Sequence, residues 1–240
     1  SPAGEDAFLW ITYTAENAGD TATGEVTVQA NGETWTLPIS ANVIERPTAA
    51  VCLVLDQSGS MGFSSGFQAP FDTREAVLKF SAPPLIEVLY DDNGIGVAAF
   101  DQDPHTLAAP VDPAGPAPFG AGRTAAKTAI AGYSHNPSGS TAIGDGVERA
   151  HDLLDPASGY ATKATIVLTD GHETAAKYVS DVTGLINERV YAIGLGTADQ
   201  IQPTALTALT VSLSGLTFQT RARSGSKRIV LAATGRPGTT

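Results

Sequence analysis

The chain has 240 residues, 42% hydrophobic and 16% charged, with mean hydropathy near zero; such a chain can bury a core without staples and is not disordered throughout. Its single cysteine, Cys52, rules out an intrachain disulfide and a multi-cysteine zinc site, and no apolar run reaches the roughly 18 residues that span a bilayer. A net charge of -11 argues against nucleic acid and anionic membranes as partners.

All 25 acidic residues lie at or before Asp199, whereas five of the 14 basic ones follow it. The last segment therefore differs in kind from the rest. The only methionine is Met61 and no signal segment opens the chain, so Ser1 is expected to begin a mature chain or a fragment.

Residues 1–46 read as strands and turns. Residues 8–14 are rich in β-formers. Residues 25–30 alternate, Asn31-Gly32 signals a hairpin, and residues 34–39 alternate again with Trp35, Leu37 and Ile39 on one face. Short strands without a helical stretch predict a small β-sandwich segment, incomplete because a full sandwich needs about seven strands. Trp10 and Trp35 are expected in its core. Arg46-Pro47-Thr48 reads as the junction.

From residue 47 the pattern becomes α/β. Val51-Cys52-Leu53-Val54-Leu55 is continuously apolar, as in a strand buried on both faces. A helix is expected over 73–90, kinked by Pro83-Pro84. A strand over 94–100 follows, then helices over 122–133 and 142–154. A strand over 165–168, a helix over 174–188, a strand over 190–195 and a short helix over 202–209 complete the series. Such alternation predicts a doubly wound, mostly parallel sheet. Residues 211–218 are expected to form a last strand, and residues 220–240 a basic tail that is poorly ordered or non-native. Three segments are thus expected: 1–46, 47–219 and 220–240.

Ligands of open α/β sheets bind outside the carboxyl ends of the strands. Asp56-Gln57-Ser58-Gly59-Ser60-Met61-Gly62 follows the first buried strand, and Thr169-Asp170-Gly171-His172 follows the third. A third loop, Asn136-Pro137-Ser138-Gly139-Ser140-Thr141, leads into a helix. Converging, these pieces offer two carboxylates (Asp56, Asp170) and three hydroxyls (Ser58, Ser60, Thr141). Alternate residues leaving a strand point the same way, so 56, 58 and 60 can face one point. Gly59 and Gly62 are expected to let the backbone turn tightly. An all-oxygen set suits Mg²⁺ or Mn²⁺, tolerates Ca²⁺ and disfavours Zn²⁺.

These residues resemble the metal-ion-dependent adhesion site of von Willebrand factor type A (vWA) domains. The resemblance covers Asp56-x-Ser58-x-Ser60, Thr141 and Thr169-Asp170-Gly171, and the order of elements over about 48–210. It implies a central sheet with one antiparallel edge strand and helices on both faces. It also implies roles. Ser58 and Ser60 bind the metal directly, Thr141 does so when ligand is bound, and Asp56 and Asp170 act largely through water. An open coordination position then takes an Asp or Glu carboxylate from a protein partner.

Simpler readings exist for each piece. Asp56 can serve a turn, Ser140-Thr141 a helix N-cap, and Asp145 the dipole of the helix it starts. His172 reads as a solvated loop residue. His105, His135 and His151 lack metal-ligand spacing, and Cys52 reads as inert core. Ser60 lacks a nucleophile elbow, no phosphate loop is present, and none of the three loops carries a Lys or Arg to clamp a phosphate. The expectation is a non-enzymatic, divalent-cation-dependent protein-binding module on an extracellular or cell-surface protein, as in bacterial surface or secreted proteins. The alternative is a cytoplasmic adaptor subunit of an ATPase-driven, metal-chelatase-like assembly.

Overall fold

The computed structural model describes residues 19–30, 32–43, 47–115, 117, 120–187 and 189–210, with the backbone of 219–220 and 231–232. The chain divides into two compact units, Ser1–Pro47 and Thr48–Thr240.

In the first unit, β1 (Thr21–Ala30) pairs antiparallel with β2 (Glu33–Asn42), from Thr21 opposite Asn42 to Ala30 opposite Glu33. Val28 lies opposite Trp35 and Val26 opposite Leu37, so one face of the ribbon carries the apolar residues. Trp35 is nevertheless 45% exposed. Within the described residues it does not sit in a core, because the two described strands offer no second layer to bury a face. The strand expected over 8–14, with Trp10, lies outside the described residues.

The second unit is built on five strands: β3 (Ala49–Asp56), β4 (Gly94–Phe100), β5 (Pro104–Pro113), β6 (Thr162–Thr169) and β7 (Val190–Gly194). Their order is β5-β4-β3-β6-β7. All neighbours are parallel except β5, which runs antiparallel to β4 at the edge, with register shifts between Ile95 and Ala98. This is the doubly wound, mostly parallel α/β sheet that the alternation predicts. The edge strand carries Pro104, Pro110 and Pro113, and prolines are tolerated at edges because no inner ladder needs their N–H.

The period of two in β3 assigns the faces. Val51, Leu53 and Leu55 pack with Leu78, Ala82 and Ile86 of α1 (Arg74–Glu87) and Ala126 and Ile130 of α2 (Ala121–Gly132). Ala50, Cys52 and Val54 face Ile143, Val147 and Ala150 of α3 (Ile143–Leu154), with Ala205 and Leu209 of α4 (Pro203–Leu209) in the same cluster. Both faces of β3 are therefore covered, which explains its unbroken apolar run.

Two expectations need correction. Helix α1 is not interrupted at Pro83-Pro84 but runs through to Glu87. Leu78, Ala82 and Ile86 recur every four residues on its buried face, and this burial outweighs the two amide donors lost. The helix expected over 174–188 is instead a loop followed by 3-10 turns at Val179–Leu185, broken at Val182. The amides of Thr174 and Ala175 both donate to the Thr141 carbonyl rather than along a helix.

Beyond Leu209, a two-residue pairing of Gln219–Thr220 with Leu231–Ala232 is described. The strand expected over 211–218 and the rest of the basic tail lie outside the described residues. No helix among the described residues is long and apolar enough to cross a membrane.

Candidate metal centre

The chain leaves β3 to β4 on one side and reaches β6 on the other, so the strand order reverses beside β3. The carboxyl ends of β3, β4 and β6 lie together there, with Leu55 paired to Leu168 and Asp56 to Phe100. Asp56, Asp101 and Thr169-Asp170 thus emerge side by side.

Main-chain bonds stitch the loops to one another. The Gln57 amide donates to Phe100 O (2.6 Å), and the Asn136 amide donates to Gln57 O (2.7 Å). The Gly59 amide donates to Gly139 O (2.9 Å), and the Ala142 amide to Asp101 O (2.8 Å). Gly59 and Gly62 do not have positive φ. At Gly59 the reason for glycine is close approach: a Cβ would stand 2.7 Å from the Pro137 carbonyl oxygen. Gly171 does have φ near +81°, which lets the chain turn directly after Asp170. Met61 is fully buried and anchors the 3-10 turn Gly59–Gly62 into the core.

Asp56 is fully buried. Its Oδ1 accepts from the Ser58 amide (2.8 Å) and its Oδ2 from the Thr169 hydroxyl (2.5 Å). Burial pushes its carboxyl up to about 6; bonds from Ser58 and Thr169 oppose this, and nearby Asp170 adds to it. Among the described residues no basic side chain pairs with it. Ser58 Oγ and Ser60 Oγ are 3.0 Å apart. Ser58 is the N-cap residue of the 3-10 turn, yet its hydroxyl does not cap it.

Thr169 Oγ1 also accepts from the Gly171 amide (3.0 Å), so one hydroxyl bridges the Asp56 carboxylate to the turn holding Asp170. Asp170 Oδ1 accepts from the His172 amide (3.0 Å), and Oδ2 from Arg74 Nη1. Thr141 is buried in a loop held from both sides: its amide donates to Thr174 Oγ1 (2.9 Å), and its carbonyl accepts from Thr174. Helix α3 begins at Ile143 with Ala142 as N-cap and no side-chain cap. The Thr141 hydroxyl is therefore not spent on the helix end.

The structure thus links Asp56, Ser58, Ser60 and Asp170 in one hydrogen-bonded cluster and docks the Thr141 loop against it. His172 is exposed, and Cys52 is buried with its thiol pushed up to about 12 by burial. Asp145 Oδ2 accepts from the Lys177 amide (3.3 Å), so it braces the neighbouring loop.

Two residues escaped the sequence reading. Asp101 anchors the Thr141 loop: its Oδ2 accepts from Asn136 Nδ2 (2.8 Å) and its Oδ1 from the Asp103 amide (3.0 Å) and His105. Burial pushes its carboxyl up, but the bonds from Asn136, Asp103 and His105 outweigh this and hold it below the usual range. Its signal is position, since it directly follows an apolar run just as Asp56 does. Arg74 opens α1, right after its N-cap Thr73, and lies outside all three motif loops.

The donor set fits a hard divalent cation. Two carboxylates and three hydroxyls are oxygen donors only, and Asp56 is a buried carboxylate among neutral donors, an arrangement that is costly until a cation arrives. Among the described residues no cluster of three or more His, Cys, Asp or Glu side chains is arranged to hold a metal ion.

The family profile of the von Willebrand factor type A domain matches residues 50–224. The chain belongs to this family. Domains of the vWA family generally mediate protein–protein interactions, and many bind a divalent metal at an adhesion site. Solved structures show the same fold. The von Willebrand factor type A protein from Catenulispora acidiphila is 18% identical, with TM-score 0.54, covering 80% of this chain and 44% of that one. BatB from Bacteroides thetaiotaomicron is 19% identical, with TM-score 0.52, covering 68% and 85%. Proximal thread matrix protein 1 from the mussel byssus, with a zinc-occupied MIDAS motif, is 20% identical, with TM-score 0.51, covering 68% and 41%. None of the curated proteins matches significantly.

Proposed function

We propose that this vWA domain is a divalent-cation-dependent protein-binding module rather than an enzyme. The observation that carries the reading is Asp56: a buried carboxylate, without a cationic partner among the described residues, beside Ser58 and Ser60 hydroxyls that face each other. Ser58, Ser60 and Thr141 would hold the metal directly, and Asp56 and Asp170 largely through water. The bound cation would supply an electrophilic centre with one position open to a partner's Asp or Glu carboxylate. The chain's own residues do the rest. Thr169 fixes the Asp56 carboxylate, the stitched loops fix the hydroxyls, and Asp101 holds the Thr141 loop in place.

Oxygen-only donors favour Mg²⁺ or Mn²⁺. The zinc-occupied mussel protein makes zinc the competitor worth testing. An extracellular or cell-surface setting, in a bacterial protein whose vWA domain follows part of an immunoglobulin-like β-sandwich, completes the reading; the β1–β2 ribbon supports it.

The test is calorimetry with Mg²⁺, Mn²⁺ and Zn²⁺, followed by capture of Asp- and Glu-containing peptides with metal or EDTA. Asp56→Ala is expected to weaken metal binding itself. Thr141→Ala is expected to keep metal binding yet lose peptide capture. Preferential zinc binding would defeat the metal assignment. Peptide capture by Asp56→Ala that EDTA cannot abolish would defeat the metal bridge.

A further inference from the structure

Arg74 is buried, and its guanidinium is committed to Asp170 from the first turn of α1. Its surroundings do little else for it. Nε is buried without a hydrogen-bond partner, and the Gly196 backbone lies so close that a Cβ there would stand 3.3 Å from Nε. Its guanidinium carbon lies 5.9 Å from the centre of the Phe63 ring, whose residue starts just beyond Ser60. A buried cation with an unsatisfied N–H is a costly arrangement. Among the described residues, the one charged partner it obtains in exchange is the Asp170 carboxylate.

The asymmetry between the two carboxylates is the informative feature. Asp170 carries a guanidinium and a backbone amide; Asp56 carries only neutral donors. Resting on the metal-site reading above, we infer that Arg74 is a positioning and charge-setting residue of the metal centre. It neutralises Asp170 in place, so the site presents one net negative charge to the cation instead of two. Coulomb repulsion from the guanidinium weakens metal binding without partner. The same subtraction leaves the bound cation under-neutralised, so an acidic partner completes the charge. Metal retention is thereby coupled to partner binding, and Asp170 is fixed as an acceptor rather than left to move onto the metal.

The test is a charge series at pH 8: wild type, Arg74→Met, Arg74→Lys, Asp170→Asn and the double variant Arg74→Met/Asp170→Asn. Mn²⁺ alone is the probe. Each protein is titrated by calorimetry and melted in EDTA and in Mn²⁺. Affinity is expected to follow site charge: Arg74→Met binds about tenfold tighter or more, and Asp170→Asn about tenfold weaker or more. Arg74→Lys is expected within about threefold of wild type, since it keeps the net charge; the double variant is expected to bind about tenfold tighter than Asp170→Asn alone, since it lacks the repelling guanidinium. Arg74→Met is also expected to melt lower in EDTA yet gain more from Mn²⁺ than wild type does, because the cation replaces the lost guanidinium.

A purely structural Arg74 would lower both melts equally and leave the Mn²⁺ dissociation constant unchanged; that result overturns the inference, as does weaker binding by Arg74→Met. If Arg74→Met does not fold in either buffer, the double variant decides: an affinity no higher than that of Asp170→Asn overturns the charge argument. Wild type that binds neither Mn²⁺ nor Mg²⁺ overturns the metal reading along with it. A flat series on a metal-binding wild type overturns this inference alone.

Discussion

Acidification should stabilise the metal-free domain, and Asp56 is the reason. Its carboxyl is pushed from the ordinary 3.8 up to about 6 by complete burial. That gap corresponds to about 3 kcal/mol at neutral pH. The sign follows from proton uptake. The folded state binds the Asp56 proton more tightly than the unfolded chain, so stability falls as pH climbs from about 4 to about 6. Between pH 7.5 and pH 5 the linkage returns about 1 kcal/mol, on the order of 2–4 °C in melting temperature for a domain of this size. The measurement is thermal melting in EDTA across that range, wild type against Asp56→Asn. The variant cannot titrate at this position, and the difference between the two proteins removes the contribution of the other carboxylates and the histidines. Asp56→Asn should melt higher than wild type at pH 7.5, by the equivalent of about 1–2 kcal/mol, less than the full gap because Thr169 loses its carboxylate acceptor. Saturating Mg²⁺ should invert the trend, since cation and proton compete for the same oxygens. A wild-type-minus-variant difference that stays flat between pH 7.5 and 5 in EDTA would refute the reasoning.

Other expectations rest on single residues. Met61→Ala removes a fully buried anchor of the metal loop and should cost about 2–5 kcal/mol, read from the urea midpoint. Gly59→Ala drives a Cβ toward the Pro137 carbonyl and parts two metal-site loops; a loss of about 1–3 kcal/mol is expected, with weaker Mn²⁺ binding by calorimetry. Cys52, with its thiol held up to about 12 by burial, should resist maleimide at pH 8 in the native state and react at once in denaturant.

The fold was legible where burial and periodicity coincide. The unbroken apolar run of β3 and the alternating helices disclose a sheet covered on both faces. The edge strand β5 was not placed by the sequence, because its prolines hide a β pattern that an edge position tolerates. The helix expected over 174–188 failed for a physical reason: Thr174 and Ala175 direct their amides to Thr141, a tertiary bond that no local pattern announces. The candidate site follows the same division. Asp56, Ser58, Ser60 and Asp170 stand in strand-end motifs, and Thr141 in the loop before α3, where a pattern in the sequence can single them out. Arg74 belongs to a helix start and meets Asp170 only through the fold, 96 residues away in sequence. Trp35 looks like core on paper, and the two described strands by themselves cannot bury it.

The prolines of β5 bear on how the protein behaves when crowded. A foreign strand docking along this edge would meet a strand with three prolines in ten residues, beside a ladder already out of step between Ile95 and Ala98. Open sheet borders otherwise invite polymerisation by strand addition. Here the border is chemically blunted, so many copies held at high density would not zip together through it.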